Sequence, residues 1–296
     1  MIITNRASLV QPYVRAVSQF REPVRGRISV TELLSPPQAR SLVLEHWETL
    51  TEDAADRIWL FFGTAVHEYL AKFAGDDALA EERLEYTVDG WTVHGTPDYM
   101  EWLIVEDGQL IDWKTTKCSS LRYERLEWER QVNLYAHLLR LNGYPVAAVE
   151  VQAFLRDFDG ARKADPEYPR NPVVRVPYRL WDAAEAHTFL WERIRLHKAA
   201  ARGLYPPCTD EDRWMRFEWA AVKAGNTRAT AKFPTREQAE QFPSDNTEHP
   251  RKVEDWWSIE PRGGVPNRCL DWCNVAQHCG QHADWLLANQ PAAEVV

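Results

Sequence analysis

The alternation of apolar and polar positions divides most of the chain into short strands and longer helices. From Thr92 to Leu103 polarity alternates and aromatic and β-branched residues are frequent, which predicts a strand. Glu106-Asp-Gly108 is a turn signal, and Gln109 to Trp113 reads as the return strand of an antiparallel pair. Helical periodicity begins near Thr51-Glu-Asp, with Thr51 as N-cap, and runs to about Phe73 before stopping at Gly75. A second helix covers Leu121 to Leu141 and closes on Asn142-Gly143. Pro145 to Leu155 reads as a strand, Arg156 to Pro172 as a polar loop, and Trp181 to Arg202 as a helix with Trp191 and Ile194 on its apolar stripe. Gly203-Leu-Tyr-Pro-Pro ends that helix. Beyond it come a hairpin around Gly225-Asn226, with arms Trp219 to Lys223 and Arg228 to Phe233, a short helix from Thr235, and a loose tail over Ala288 to Val296. The pattern implies an α/β fold, a mixed central sheet flanked by helices.

Side-chain alternation along Asp112-Trp-Lys114 puts Asp112 and Lys114 on one face of their strand and turns Trp113 toward a core. An antiparallel partner brings Asp98, from Gly95-Thr-Pro-Asp98, to the same side. That face offers two hard oxygen ligands for Mg²⁺ or Mn²⁺ and one cation. A divalent ion lowers the pKa of a bound water and polarises a phosphoryl oxygen, and a lysine can orient the nucleophile or offset the transition-state charge. In the upstream helix Gly63 and His67 lie one turn apart, so His67 is a candidate nitrogen ligand, although a hydrogen-bonded helix histidine is the plainer reading of these residues alone. In the downstream helix Gln131 and Tyr135 share a face, placed to bind phosphates or to hold Lys114; a tyrosine with a buried ring and a wet hydroxyl is the plainer alternative.

Together these residues resemble the RecB-like nucleases of the PD-(D/E)xK superfamily. His67, Asp98, Asp112-Trp-Lys114 and Gln131-x-x-x-Tyr135 stand in that group's order and spacing, and Ser29-Val-Thr-Glu-Leu-Leu is similar to its strand-to-helix entry. The resemblance spans about Ser29 to Phe154 and implies a restriction-endonuclease-like core. It implies that His67, Asp98, Asp112 and the Trp113 carbonyl hold the metal. It makes Asp98, Asp112 and Lys114 catalytic and Gln131 and Tyr135 an accessory motif. Glu81 or Glu85 corresponds to a further acidic position of some members.

Of five cysteines, Cys118 stands alone, and Cys208 precedes a terminal Cys269-x3-Cys273-x5-Cys279. Four thiolates suit Zn²⁺ or a [4Fe–4S] cluster, and disulfides are the alternative. Met1-Ile-Ile-Thr-Asn-Arg lacks the apolar run of a secretory signal, so a reducing, cytoplasmic setting in a bacterial or phage-infected cell is expected. The set resembles the iron–sulfur staple of a RecB-like subgroup that includes the CRISPR adaptation nucleases and AddB-type helicase-nucleases. There the triplet commonly reads Cys-x2-Cys-x5-Cys and the first cysteine precedes the core, whereas Cys208 follows it, as in phage-type exonucleases. The implied division is a nuclease core with an N-terminal helical segment over 1–205 and an iron–sulfur lobe over 206–296. The lobe carries an insertion at about 209–261.

Composition narrows the function classes. The 296 residues suit one large domain or a core with appendages, and no run reaches membrane-span length. A net charge of −9 argues against coating nucleic acid by bulk attraction. Two basic patches, Arg15, Arg21, Arg25 and Arg27, and then Lys117, Arg122, Arg125 and Arg130, allow local contact. Trp214, Trp219, Trp256 and Trp257 could stack single-stranded bases or form a satellite core. The expected activity is metal-dependent DNA hydrolysis, exonucleolytic on single strands or ends, in recombination, repair or replication. A helicase or recombination protein is the expected partner. The rival readings are a DNA-end binding partner with a vestigial site and a zinc-stabilised interaction module.

Overall fold

A computed structural model describes residues 1–104, 107–122, 125–226, 228–245 and 257–289. The described chain forms two compact units, Met1–Pro206 and Pro207–Val296.

The first unit opens with β1 (Ile2–Thr4), α1 (Gln11–Val17), β2 (Arg27–Ser29), α2 (Val30–Leu34) and α3 (Pro37–His46). The Ser29 hydroxyl accepts from the Glu32 backbone while the Glu32 carboxylate accepts from the Ser29 backbone, so a capping box turns β2 sharply into α2, the strand-to-helix entry that the resemblance implies. Thr51-Glu-Asp is not a helix start. It forms β3 (Thr51–Asp53), paired in parallel with β1. Asp53 Oδ2 accepts from Thr4 Oγ1 at 2.7 Å and from the Arg6 backbone at 3.0 Å, a contact with the amino terminus that outweighs the local capping signal. A 3₁₀ turn capped by Asp53 then leads into α4 (Ile58–Ala71).

The run Thr92 to Leu103 proves to be two strands in two sheets. After β4 (Leu79–Ala80) come β5 (Leu84–Val88), β6 (Trp91–Gly95), β7 (Tyr99–Ile104) and β8 (Asp107–Thr116). Strands β2, β6 and β5 make one sheet, whereas β7 and β8 belong to a five-stranded sheet in the order β10-β9-β8-β7-β4, with β9 (Ala148–Leu155) and β10 (Val173–Tyr178). Thr96-Pro97 breaks the run, because proline cannot donate to a ladder. The turn residue Glu106 lies outside the described residues.

Strands β8 and β9 are parallel, and α5 (Leu126–Leu141) makes the crossover that parallel neighbours require. The other pairs in this sheet are antiparallel. Helix α5 starts later than the periodicity suggests, after a 3₁₀ turn at Cys118–Leu121, and ends as expected at Asn142 with Gly143 at φ 89°. Val132, Leu139, Leu110, Val149, Val151 and Ala153 belong to one core cluster, which rivets α5 to the sheet. Strand β10 falls between the loop read as far as Pro172 and the helix read from Trp181, in a span given no element. It is an edge strand, where Pro177 is tolerated.

Helix α6 (Ala183–Ala201) packs on α2 and α3. Ile194 is buried, but Trp191 is 44% exposed and lies outside the stripe assigned to it. The Leu33 carbonyl, at the end of α2, accepts from Arg193 Nε at 2.9 Å and lies 3.0 Å from His197 Nε2. Burial pushes His197 down to about 3, with the Leu33 carbonyl opposing the shift and Arg193 and Arg40 adding to it. Its folded value thus lies below its unfolded one. The stabilisation is complete above the unfolded value, near 6.5, and is lost as pH falls toward 3. Urea unfolding at pH 7, 6 and 5 is expected to show His197→Gln losing roughly 2 kcal/mol less than the parent by pH 5.

The second unit contains β11 (Met215–Lys223), β12 (Ala231–Phe233), α7 (Arg236–Asp245), β13 (Trp257–Pro266), α8 (Asn267–Asp271) and α9 (Gly280–Ala288). The expected hairpin is β11–β12, and β13 joins β11 on its other side. Of the expected tryptophans, Trp257 joins Phe242 and Phe233 in a half-buried aromatic cluster, Trp219 lies under the Arg236 guanidinium, and Trp214 is exposed beside Trp272. Trp256 and residues 290–296 of the expected tail lie outside the described residues.

Candidate functional site

Asp98 sits where the chain passes from the β2-β6-β5 sheet to the larger one. It is 6% exposed, and the register Tyr99 to Ile111 continues to place it beside Asp112. Its Oδ2 accepts from the Trp113 backbone N–H at 2.7 Å and its Oδ1 lies 3.1 Å from His67 Nδ1. The other ring nitrogen, Nε2, lies 2.8 Å from the Trp113 carbonyl. The imidazole is thus held between two oxygen acceptors. Burial alone would lower its pKa, but the Asp98 carboxylate, the Trp113 carbonyl and Asp112 raise it on balance.

Helix α4 delivers His67 by running antiparallel to β8. His67 meets Trp113, and Gly63 faces Thr115 one turn earlier. A Cβ on Gly63 would reach Thr115 Oγ1 at an ordinary 3.7 Å, so no close approach requires this glycine. Trp113 does point inward, stacked on Tyr99 with ring centroids 5.9 Å apart.

Asp112 and Lys114 share the opposite face. Asp112 is 1% exposed, and burial pushes its carboxyl up to about 6, with Lys114 opposing the shift and Asp98 reinforcing it. Lys114 Nζ lies 2.5 Å from Asp112 Oδ2, yet no well-aligned hydrogen bond reaches that oxygen among the described residues. Gln131 Nε2 donates to Asp112 Oδ1 at 3.1 Å, so it holds the carboxylate and not the lysine. One turn on, Tyr135 stands beside Gln131. Burial and then the Asp112 and Asp98 charges keep its hydroxyl protonated. A Cβ on Gly95 would meet Tyr135 Cε1 at 2.6 Å, so the glycine of Gly-Thr-Pro-Asp makes room for the tyrosine ring.

The two glutamates are placed differently. Glu85 is engaged by Arg27 and Arg83. Glu81 turns toward the site: one ligand atom each from His67, Glu81 and Asp98 lie within 4.8 Å of one another, the arrangement of a cation site. Its backbone is at φ 53°, a left-handed conformation that costs about 1 kcal/mol or more for a side-chain-bearing residue. The Glu81 N–H donates toward the Pro97 and Asp98 carbonyls, which fixes that conformation. Partial desolvation and the Asp98 charge raise its pKa. Asp112 stands beside this triad, not within it.

A model of the PD-(D/E)XK nuclease superfamily matches residues 31–280. The chain belongs to the PD-(D/E)XK nuclease superfamily. No curated protein matches it in sequence. A solved structure described as the crystal structure of SSO0001 aligns over 63% of this chain and 83% of its own, at 16% identity and a TM-score of 0.43. Members of the PD-(D/E)XK superfamily are usually nucleases that depend on divalent metals such as Mg²⁺, and they act on DNA. Among the described residues no helix is long and apolar enough to cross a membrane.

Around the site of this nuclease fold the second basic patch is only partly available. Arg122 and Arg125 line an open groove with Trp128 and Arg179, and Arg125 Nε donates to the Ser120 carbonyl. Arg130 lies over the Phe189 ring. In the first patch Arg27 pairs with Glu85, and Arg25 donates to the Ala201 carbonyl.

Cys208, Cys269, Cys273 and Cys279 all fall in the second unit. Burial pushes the Cys208 thiol up to about 12, and Asp212 and the other three cysteines add to the shift, so the four sulfurs lie within electrostatic reach of one another. No three of them meet within 4.8 Å. The sequence reading missed Gln281 on α9. Its Oε1 accepts from the Cys208 N–H at 2.8 Å and its Nε2 donates to the Cys208 carbonyl at 2.9 Å, which ties the remote cysteine to the terminal triplet. Cys118 is buried, with its Sγ 3.3 Å from the Tyr168 hydroxyl.

Proposed function

We propose that the protein is a Mg²⁺- or Mn²⁺-dependent deoxyribonuclease, an exonuclease that hydrolyses single strands or DNA ends during recombination, repair or replication. The observation that carries this reading is the convergence of His67, Glu81 and Asp98 beside the buried Asp112–Lys114 pair. His67, Asp98, Asp112 and the Trp113 carbonyl, with Glu81 added, would hold the ion. Asp112 Oδ2 is buried without an aligned donor, and the remaining donors are oxygens with one imidazole, a set suited to Mg²⁺ or Mn²⁺. When bound, the ion supplies Lewis-acid polarisation and a water of lowered pKa.

The chain's own residues do the rest. Lys114 holds a positive charge beside Asp112, where it orients the nucleophile and offsets charge developing on phosphorus. Gln131 fixes the rotamer of Asp112, with Tyr135 beside it. The Trp113 N–H holds Asp98 at the strand end.

The four cysteines would hold a [4Fe–4S] cluster in the second unit. Tetrahedral zinc thiolate, with Zn–S near 2.3 Å, sets sulfurs about 3.8 Å apart. The set here is looser than that, and burial raises the Cys208, Cys269 and Cys273 thiols, a cost that a bound metal centre would relieve.

Anaerobically purified protein should be tested on end-labelled single- and double-stranded DNA with Mg²⁺, Mn²⁺ or EDTA, alongside iron, sulfide and zinc analysis. Metal-dependent laddering from one end and about four irons per chain are expected. Folded, metal-loaded protein that leaves every substrate intact overturns the enzyme and favours a DNA-end binding partner. Stoichiometric zinc without iron overturns the cluster.

A further inference from the structure

Helix α4 is apolar along most of its length, yet none of its residues is buried. Trp59, Phe62 and Tyr69, with Phe73 just past its end, are 46%, 47%, 62% and 71% exposed. Their spacings of three, seven and four set them on one side of the helix. They form two pairs, Trp59–Phe62 with centroids 6.0 Å apart and Tyr69–Phe73 at 5.1 Å, along a ridge of about 21 Å at 1.5 Å per residue. Exposed aromatic surface of this extent is unfavourable in water unless something covers it in use.

We propose that this ridge is a stacking platform for the unpaired bases of a single DNA strand whose backbone enters the site. The proposal rests on the nuclease reading and names how its substrate is gripped. Four features of the molecule select bases as the occupant. The exposed side chains of the ridge are aromatic, and a flat π-face stacks any base whatever its sequence. The Arg156 guanidinium lies 3.5 Å from the centre of the Trp59 ring, a cation–π pair next to a surface that would receive phosphates. The Trp59 end of the ridge is tied to the site's strand: the Arg156 N–H donates to the Thr116 carbonyl, two residues beyond Lys114 on β8, while His67 reaches the site from another side of the same helix. The helix's own acid, Glu68, is on the other side, lining a cavity with Ala16 and Phe20 of the α1 region, so the helix puts no carboxylate of its own on the ridge. In a chain of net charge −9, stacking supplies affinity that bulk attraction cannot.

The test uses Trp59→Leu, Phe62→Leu and the double variant in the full chain, since leucine keeps apolar bulk and helix propensity but has no ring. Kinetics would be measured on a single-stranded 20-mer and on thymidine 5′-(p-nitrophenyl phosphate), which has no neighbouring bases to stack. For the double variant KM for the strand is expected to rise about tenfold or more, with kcat and hydrolysis of the small diester within about twofold. Fluorescence anisotropy of the strand in EDTA should show the same loss of affinity. An unchanged KM and an unchanged anisotropy affinity overturn the platform. So does a wild-type dimer, seen by light scattering, that the leucine variants dissolve, because a second copy of the chain then covers the ridge. If wild type cleaves neither substrate, the nuclease reading fails separately, and the anisotropy comparison still decides the platform.

Discussion

Replacement of Lys114 by alanine is expected to slow DNA cleavage about a thousandfold while leaving the fold and strand affinity in place. Lys114 is the cation beside a carboxylate that is 1% exposed. With the lysine present, burial already pushes Asp112 up to about 6. Without it the main opposing influence is gone, and Asp112 takes up a proton near neutral pH instead of standing as a bare buried charge. Two consequences follow. In EDTA the variant should unfold with about 2 kcal/mol less stability, a smaller loss than an unrelieved buried charge would impose. With saturating Mg²⁺ most of that difference should disappear, because the ion restores a counter-charge for Asp112. Single-turnover cleavage of end-labelled DNA measures the first effect, and denaturant melts with and without Mg²⁺ measure the second. Cleavage within tenfold of the parent would remove Lys114 from the mechanism.

Asp98→Asn is expected to weaken Mn²⁺ binding about a hundredfold or more with little change in stability. An asparagine can keep the bond from the Trp113 N–H through its amide oxygen, so the strand-end geometry survives. Its amide nitrogen then points a donor at His67 Nδ1 where a carboxylate oxygen now stands, and the anionic centre of the His67, Glu81 and Asp98 group is lost. Calorimetric titration with Mn²⁺ separates this from a folding defect. Parent-like affinity would place the ion on other residues.

Short-range periodicity made part of this site legible in the sequence. Asp112 and Lys114 are two apart on a strand, and Gln131 and Tyr135 four apart on a helix, so their shared faces follow from backbone geometry alone. The Ser29–Glu32 capping box is equally local, although the entry at Ser29 was read only through the family resemblance. What stayed hidden depends on distant partners. Thr51-Glu-Asp carries a helix-start signal, but Asp53 is claimed by Thr4 and Arg6 at the amino terminus. Glu81 and Glu85 look alike in sequence, and only the bond to the Pro97 and Asp98 carbonyls, with its left-handed backbone, turns Glu81 inward. Gln281 shows no motif at all, since its role is a bond to a backbone 73 residues away. Strand β10 was masked by Pro177, acceptable only because the strand is an edge. Trp191 and the ridge on α4 show that apolar periodicity identifies a face without saying whether protein covers it.

The Gln281 amide that grips both backbone groups of Cys208 also bears on how the second unit can change over time. The first end of the long span between Cys208 and Cys269 is pinned from outside it, by one side chain on α9. What lies between can therefore lengthen or shorten at modest entropic expense, since doubling a flexible loop adds only about 0.6 kcal/mol to its closure. The β11–β13 sheet with its helix thus occupies a natural grafting position, where recognition modules of different length can be set between Cys208 and the terminal thiols.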